Sequence, residues 1–374
     1  MHVHHSAMTR LAHALAFAAM LGLAAPTRVD AQPQYASDSP APVVTGFVGL
    51  ATSSDSGHGS LSPTISPIVL APIGQHLLFE GEVELAGSYQ SESGAPWSNQ
   101  WDKGVEYAQI DWFIAKQLTL VGGRFLTPFG IFNERLHSGW IRNLPDEPLV
   151  AALEMTDSNG AMVRGGLGLA RRVDLNYAAF VSAPSARVGF VSSKAAGGRA
   201  SLFRSNARVE IGGSFQRQLE DKLNQYGADV TWQSSALPLD VRAEVVRNPM
   251  RGAGYWAEGA YRLRRVPFAT ALMRRSQVAF RVEQFFAPSA APDVLVEGMD
   301  AGADTGVADV AAVMDTGLPG ADTRRFTAGW NYWITPDVRA SLSYGRALSS
   351  EGTHNVWTVG LTYRFTAPLA GRNQ

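Results

Sequence analysis

The segment 127–159 combines charged side chains with an unusual number of apolar ones. Its candidate functional residues, together with one arginine just before it, are Arg124, Glu134, Arg135, His137, Arg142, Asp146 and Glu147. Opposite charges that face each other across a water-filled passage create a transverse field, which orders water and discriminates among dissolved solutes. The same charges on a lid over the protein surface would be screened by solvent. The sequence leaves both arrangements open.

The apolar content of this segment favours the buried arrangement. Phe129, Phe132, Leu136, Trp140 and Leu144 are too many large apolar side chains for a segment that moves freely in water. Connections of this length are usually functional or packed against the rest of the protein. We therefore expect the segment to fold inward and to present its charges to a passage.

Two acidic segments are candidate cation sites. Glu80, Glu82 and Glu84 would lie on one face of a strand, about 7 Å apart from one to the next, and could hold a divalent cation. The segment 288–320 carries six carboxylates, and calcium could bridge it, although its spacing matches no calcium-binding loop. Solvated carboxylates with arginine partners are the simpler interpretation, so the sequence predicts no metal site.

Catalysis finds little support in the chain. The histidines that follow the N-terminal region are His58, His76, His137 and His354, and none has a recognised nucleophile setting around it. We predict that the protein is not an enzyme and that it needs no cofactor.

The elements that position these residues are predicted to be β-strands. In residues 355–365, Trp357, Val359, Leu361, Tyr363 and Phe365 alternate with small or polar residues, which places them on one face of a strand. The same alternation recurs around Tyr177, Trp232, Val241 and Trp330. An apolar face opposite a polar face is typical of the wall of a transmembrane barrel, where one face meets lipid and the other meets a watery lumen.

The connections predict the topology. Short turns at 115–117, 170–172, 234–238 and 335–337 alternate with long links at 90–103, 127–159, 184–198 and 288–321. The sequence therefore predicts an all-β protein, a transmembrane antiparallel β-barrel with 16 strands, short periplasmic turns and long external loops. A barrel of 14 strands remains open, because Pro63 and Pro67 fit poorly into the first strand pair.

Strand parity assigns charged residues to the lumen. Those expected to line it are Glu80, Glu82, Glu84, Asp111, Arg164, Arg208, Arg242, Glu258, Arg281, Arg325 and Arg364. The two signs are mixed, and many of these charges could pair across strands. A weak preference for anions is expected, because Arg124, Arg135 and Arg142 would cluster at the narrowest point.

The two ends of the chain predict export. Residues 1–31 contain a short basic start, an apolar stretch and small residues at a cleavage site, as in a secretory signal peptide. Residues 32–374 would then form a single barrel. A net charge of -1 gives no indication of nucleic acid as a partner. Outer-membrane lipids and lipopolysaccharide are the expected surroundings, in a Gram-negative bacterium.

Residues 118–132 and 198–215 carry a family resemblance. The sequence Val121-Gly-Gly-Arg-Phe125 followed by Pro128-Phe-Gly130 resembles the phosphate-selective porins O and P, and the C-terminal strand with Trp357, Tyr363 and Phe365 resembles the signal that barrel-assembly machinery reads. The resemblance implies a 16-stranded barrel, commonly a homotrimer, that passes small solutes through a constriction. A closed structural or adhesin-like barrel is the alternative.

Overall fold

Sixteen antiparallel strands form a closed barrel, and each strand pairs with its neighbours in the sequence. The computed structural model describes residues 41–55, 58–91, 97–154, 156–187, 189–288, 318–350 and 352–369. The predicted signal peptide and most of the acidic segment 288–320 lie outside the described residues. The first and last strands close the ring through a register that runs from Val43 opposite Pro368 to Asp55 opposite Val356. The prediction of a 16-stranded antiparallel barrel is confirmed.

The strands are longer than the alternation in the sequence suggested. The first eight are β1 (Val43–Asp55), β2 (His58–Ile73), β3 (Leu77–Ser91), β4 (Ser98–Ala115), β5 (Leu118–Leu126), β6 (Asp157–Ala170), β7 (Val173–Ala183) and β8 (Ala195–Arg204). The second eight are β9 (Val209–Gln218), β10 (Leu223–Gln233), β11 (Leu239–Asn248), β12 (Gly252–Arg262), β13 (Ser276–Phe286), β14 (Thr323–Thr335), β15 (Val338–Ser349) and β16 (Gly352–Pro368).

Pro63 and Pro67, the residues that left a barrel of 14 strands open, lie inside β2. The pairing of β2 with β3 passes from Leu61 to Thr64 and from Ile65 to Ile68, so the register omits Pro63 and Pro67. A proline has no N–H group to donate to a ladder, and a local interruption accommodates it. The first strand pair therefore forms, and the barrel has 16 strands rather than 14.

The outer surface of the barrel is apolar. Among the large apolar side chains that it exposes are those of Trp112, Trp232, Trp330 and Trp357, each of which is more than a third exposed. On the opposite face of the same strands lie buried polar residues such as Asn331 and Thr358. The period of two therefore separates an apolar outside from a polar inside, as the sequence predicted.

The connections divide the barrel into two ends. Residues 74–76, 116–117, 171–172 and 336–337 are short links at one end, which we call the turn end, and 92–97, 127–156, 184–194 and 287–322 are longer links at the other, which we call the loop end. Other links at the loop end, among them 219–222 and 249–251, are short. The link 263–275 at the turn end is long, which the sequence analysis did not anticipate.

Three helices are described, and each is a single turn. They are α1 (Phe132–Arg135), α2 (Ala151–Glu154) and α3 (Thr270–Met273). No helix among the described residues is long and apolar enough to cross a membrane. The first two helices belong to the link 127–156, which we call the inner loop.

Candidate functional site

The inner loop lies inside the barrel, bound to strands far away in the sequence. The backbone N–H of Gly130 donates to the hydroxyl of Ser214 on β9 at 2.9 Å. The N–H of Leu149 donates to the carboxylate of Glu283 on β13 at 2.7 Å. Both acceptors occupy inward-facing strand positions, so the loop packs against the inner wall and does not form a lid above the barrel.

An apolar cluster holds the loop to that wall. Phe129 and Phe132 of the loop are buried in one cluster with Val246, Trp256 and Phe285 of the strands. Burial of each large side chain of this kind stabilises a structure by roughly 1.5–3 kcal/mol. The loop therefore forms part of the packed interior, and its charged residues are positioned by a rigid support.

Polar contacts anchor the charged part of the loop. The carboxylate of Asp146 accepts hydrogen bonds from Ser343 on β15 at 2.8 Å and from Thr358 on β16 at 2.9 Å. Arg281 on β13 donates to the main-chain carbonyls of Asp146 at 2.9 Å and Glu147 at 3.1 Å. Asp146 thus fastens the loop and has little freedom to meet a solute.

The tip of the loop reaches toward the turn end. Arg339, the second residue of β15, donates to the carbonyl of Arg142 at 2.7 Å and to that of Gly139 at 2.8 Å. Asn331, close to the end of β14, donates to the carbonyl of Asn143 at 2.7 Å. The loop therefore descends through the barrel from the loop end.

A polar cavity of about 220 Å³ remains on the other side of the loop, which we call the upper cavity. Its charged lining consists of Glu80, Glu82, Glu134, Arg135, His137 and Arg164. Two of these face each other across the gap: a guanidinium nitrogen of Arg164 on β6 lies 4.0 Å from a carboxylate oxygen of Glu134 on the loop. Loop and wall thus line one small cavity with charges of both signs.

His137 of the inner loop contacts a carboxylate on β4 of the barrel wall. Its Nε2 atom lies 3.4 Å from a carboxylate oxygen of Glu106 on β4. Burial acts to lower the pKa of His137, but the hydrogen bond and the negative charge of Glu106 outweigh burial and raise this pKa above its ordinary value. The loop therefore presents a third basic group to the upper cavity when His137 is protonated.

Two carboxyl groups are buried together under the loop. Glu154 of α2 is 1 % exposed and Glu244 of β11 is 3 % exposed, and both lie against Gly130. Burial raises the pKa of Glu154 well above its usual range, and the neighbouring carboxylate of Glu244 raises it further. Gly130 has a φ of +66°, and a Cβ atom there would collide with both carboxyl groups, so only glycine fits.

The remaining predicted constriction residues are ion-paired. Arg124 lies 2.6 Å from Asp157 and donates to the carbonyl of Val105, also at 2.6 Å; it is not among the residues that line the upper cavity. Arg142 lies 2.8 Å from Glu147. Three arginines were expected to cluster, and the structure brings only Arg135 to the upper cavity.

Most predicted lumen residues lie on the inner wall with partners of their own. Asp111 pairs with Arg164, Glu82 accepts a hydrogen bond from Ser66, and Glu80 accepts one from Gln109 at 3.3 Å; Glu84 is half-buried on the same face of β3. Glu258 accepts a hydrogen bond from Asn143 at 2.9 Å, and Arg281 and Arg325 flank Glu283 at 3.0 Å and 2.8 Å.

Toward the turn end, Arg242 pairs with Asp240 at 2.7 Å, Arg364 pairs with Asp337 at 2.8 Å, and Arg208 donates to Gln233 at 2.8 Å.

The residues that receive the loop are not among those predicted from the sequence. Val246, Trp256 and Phe285 are apolar side chains at inward-facing positions, where the alternation otherwise places polar residues. Arg199, which binds Asp229 at 2.6 Å, was also not selected. An apolar residue on the polar face of a strand is a signal visible in the sequence, and it marks the wall on which a segment packs.

Comparison with known proteins finds likeness in structure only. No family model matches this chain, and no curated protein matches it. A low-pH structure of OprB from Pseudomonas putida is 8% identical, with 88% of this chain and 93% of that chain covered and a TM-score of 0.52. OmpF of Salmonella typhi, in complex with daunomycin, is 11% identical, with coverages of 87% and 97% and a TM-score of 0.52. DcaP, an outer membrane channel of Acinetobacter baumannii, is 11% identical, with coverages of 87% and 98% and a TM-score of 0.50. At these identities the likeness concerns the barrel fold.

Proposed function

We propose that this protein is an outer-membrane porin that allows passive diffusion of small hydrophilic solutes. The observation that carries the proposal is the inner loop, which packs against one wall of a closed barrel and leaves a charged cavity along the other. A loop that narrows a barrel without filling it forms a constriction.

The outer surface supports a place in the outer membrane. Rows of large apolar side chains, among them Trp330, Val359 and Phe280, would be costly in water and favourable in lipid. The strands pair in a closed ring without a free edge, which a lipid environment requires. The predicted signal peptide, residues 1–31, and the C-terminal strand with Phe365 are consistent with export and with recognition by assembly machinery.

The finer family assignment rests on local resemblance. The sequence Pro128-Phe129-Gly130 resembles that of the phosphate-selective porin group, and membership of that group is proposed on this resemblance. Members of that group are commonly homotrimers, and chemical cross-linking of the purified protein would test that state.

Selectivity for anions needs a different basis from the one that the sequence suggested. Arg124, Arg135 and Arg142 each pair with a carboxylate, so their charges are largely compensated. A preference for anions would instead arise at the turn end, where arginines outnumber acids. The reversal potential across a tenfold salt gradient measures this preference directly.

Single-channel conductance tests the constriction. Ile141 at the loop tip is 51% exposed. It lines both the upper cavity and a second cavity, which lies at the turn end of the barrel. Ile141→Ala should raise the conductance and Ile141→Trp should lower it, because the side chain stands in the passage. Removal of residues 132–145 should raise the conductance further.

A closed structural barrel is the competing interpretation, and the same recordings separate the two. A purified barrel that inserts into a planar bilayer without any conductance would support the closed barrel. We infer a channel rather than an enzyme because the charged residues of the site pair with one another or line an open cavity, and none is arranged as a nucleophile with its base.

A further inference from the structure

A second, larger cavity lies at the turn end, below the tip of the inner loop. Its volume is about 900 Å³, within the range of sites that hold small organic molecules. We call it the lower cavity. Residues of β10 to β16, of the loop tip and of the links 205–208, 234–238, 263–275 and 336–337 contribute to its lining.

The charge of this lining is strongly one-sided. Among the described residues, eight arginines and a single carboxylate, that of Asp240, line the cavity. Asp240 is already engaged with Arg242 at 2.7 Å. Arg262, Arg264 and Arg274 lie within 4 Å of no carboxylate among the described residues, which distinguishes them from the paired arginines of the inner loop.

Two arginines of the cavity also hold buried nitrogen atoms without a partner. Nη1 of Arg242 and Nε of Arg339 are shielded from solvent and find no hydrogen-bond acceptor among the described residues. An unpaired buried donor is unfavourable, and both atoms belong to side chains that contribute to the lining of the lower cavity. Guanidinium groups bind carboxylates through two parallel hydrogen bonds, so the chemistry of the lining matches carboxylate oxygens.

Part of the uncharged lining is apolar. Trp140 of the loop tip, Trp333 of β14 and Leu237 of the link 234–238 belong to it. The guanidinium of Arg262 stacks over the ring of Trp333 at 4.9 Å, and that of Arg364 over the ring of Trp140 at 5.1 Å. These contacts hold the positive charges beside flat apolar surfaces. A small inorganic anion would use only the charges, whereas an organic anion would use both parts of the lining.

We propose that the lower cavity is a binding site for small organic anions that carry two or more carboxylates on an apolar body. This inference rests on the proposed function in one respect: the site would lie on the diffusion path and would define the class of preferred solute. The arginines would hold the carboxylates, and the tryptophan and leucine side chains would contact the hydrocarbon part.

Equilibrium dialysis of the purified barrel in detergent and low salt tests the site, with naphthalene-2,6-dicarboxylate as the probe and sulfate as the inorganic comparison. We expect the dicarboxylate to bind more tightly than sulfate. The variant Arg262→Gln with Arg264→Gln should weaken binding roughly tenfold or more, since each lost charge-assisted hydrogen bond has an effect of that order. Both side chains are exposed, so the barrel should fold normally.

The matched control is Arg171→Gln with Arg204→Gln, which removes two exposed charges at the same end but outside the cavity. It should bind as the unaltered protein does. Absence of binding, equal binding of sulfate, unchanged binding by the cavity variant or an equal loss in the control would each overturn the proposal. Dialysis needs no conductance: a barrel that binds but does not conduct refutes only the proposed function, and one that conducts but does not bind refutes only this site.

Discussion

Arg135 of the inner loop and Glu210 of β9 form a bidentate ion pair, in which Nη1 and Nη2 of Arg135 lie 2.7 Å and 2.8 Å from the two carboxylate oxygens of Glu210. The pair joins residues 75 positions apart, one on the loop and one on the wall. Glu210 also accepts a hydrogen bond from Ser201 at 2.5 Å, which fixes the carboxylate in place. This contact holds one side of the upper cavity at a defined width.

Loss of this pair should loosen the loop. Arg135→Ala removes both hydrogen bonds, and the expected loss of stability is about 1–3 kcal/mol, the usual range for such charged partners. We expect larger and noisier single-channel currents and a lower temperature of heat-induced unfolding. The control is Arg217→Ala, because Arg217 lies on β9, the strand that carries Glu210, and its side chain is exposed on the outer side. This variant should change neither the single-channel current nor the unfolding temperature.

The buried carboxyl pair should make the loop sensitive to pH. In the folded protein the pKa of Glu154 lies well above its value of 4.5 in an unfolded chain, so the folded protein holds this proton more tightly. The resulting stabilisation is complete below about pH 4.5, and it is lost as the pH rises through the folded pKa. Unfolding temperatures at pH 5 and pH 8 should therefore differ, and Glu154→Gln should reduce the difference.

Glu220→Gln is the control for that experiment, because Glu220 is an exposed residue of the link 219–222. It should leave the pH dependence unchanged. If Glu154→Gln also leaves it unchanged, another group is responsible for the pH response of the barrel.

Acidic residues of the upper cavity should influence the choice of ion. Glu80 and Glu134 line this cavity from opposite sides, one on β3 and one on the loop. Substitution of both by glutamine removes two negative charges and should shift the reversal potential in the direction of anion permeation. The exposed acids Asp174 and Glu220, which are absent from the lining, provide a control pair. An equal shift in that pair would show that overall charge, and not the cavity, sets the preference.

Tryptophans on the two faces of the wall should respond to different quenchers. Trp330 and Trp357 are exposed on the outside, while Trp256 is 1% exposed beneath the loop. Brominated lipids should quench the tryptophan fluorescence of a barrel that retains only Trp330 and Trp357. They should leave the fluorescence of a barrel that retains only Trp256 unaffected. Quenching of Trp330 by aqueous iodide alone would place that strand face in water.

The last strand should be essential for assembly. Phe365 pairs with Gly46 of β1, so the end of β16 forms part of the seam that closes the barrel. Deletion of residues 355–374 should abolish heat-modifiable barrel formation, and Phe365→Ser should reduce it. Normal insertion of the truncated chain would contradict both the role of the seam and the proposed assembly signal.

Local patterns in the sequence predicted the wall of this protein. A strand places alternate residues on opposite faces, so the facing of Tyr177, Trp232, Trp330 and Trp357 follows from their positions alone. The positions of the short turns followed in the same way, whereas Pro63 and Pro67 left the count open between 14 and 16 strands. The sequence pattern did not predict the length of the link 263–275, because residues that only lengthen a turn leave no periodic signal.

Only the tertiary structure decided what the lumen contains. Arg339 meets Gly139 across 200 residues of sequence, and Asp146 meets Thr358 across 212, so no local pattern could pair them. The sequence showed which side chains face inward, but charges of both signs on an inner wall allow many pairings. Packing of the loop on one wall selected among these pairings: it paired Arg135 with Glu210, while Arg262, Arg264 and Arg274 of the turn end lie within 4 Å of no carboxylate among the described residues. That choice depends on the shape of the closed barrel, which exists only when all 16 strands are in place.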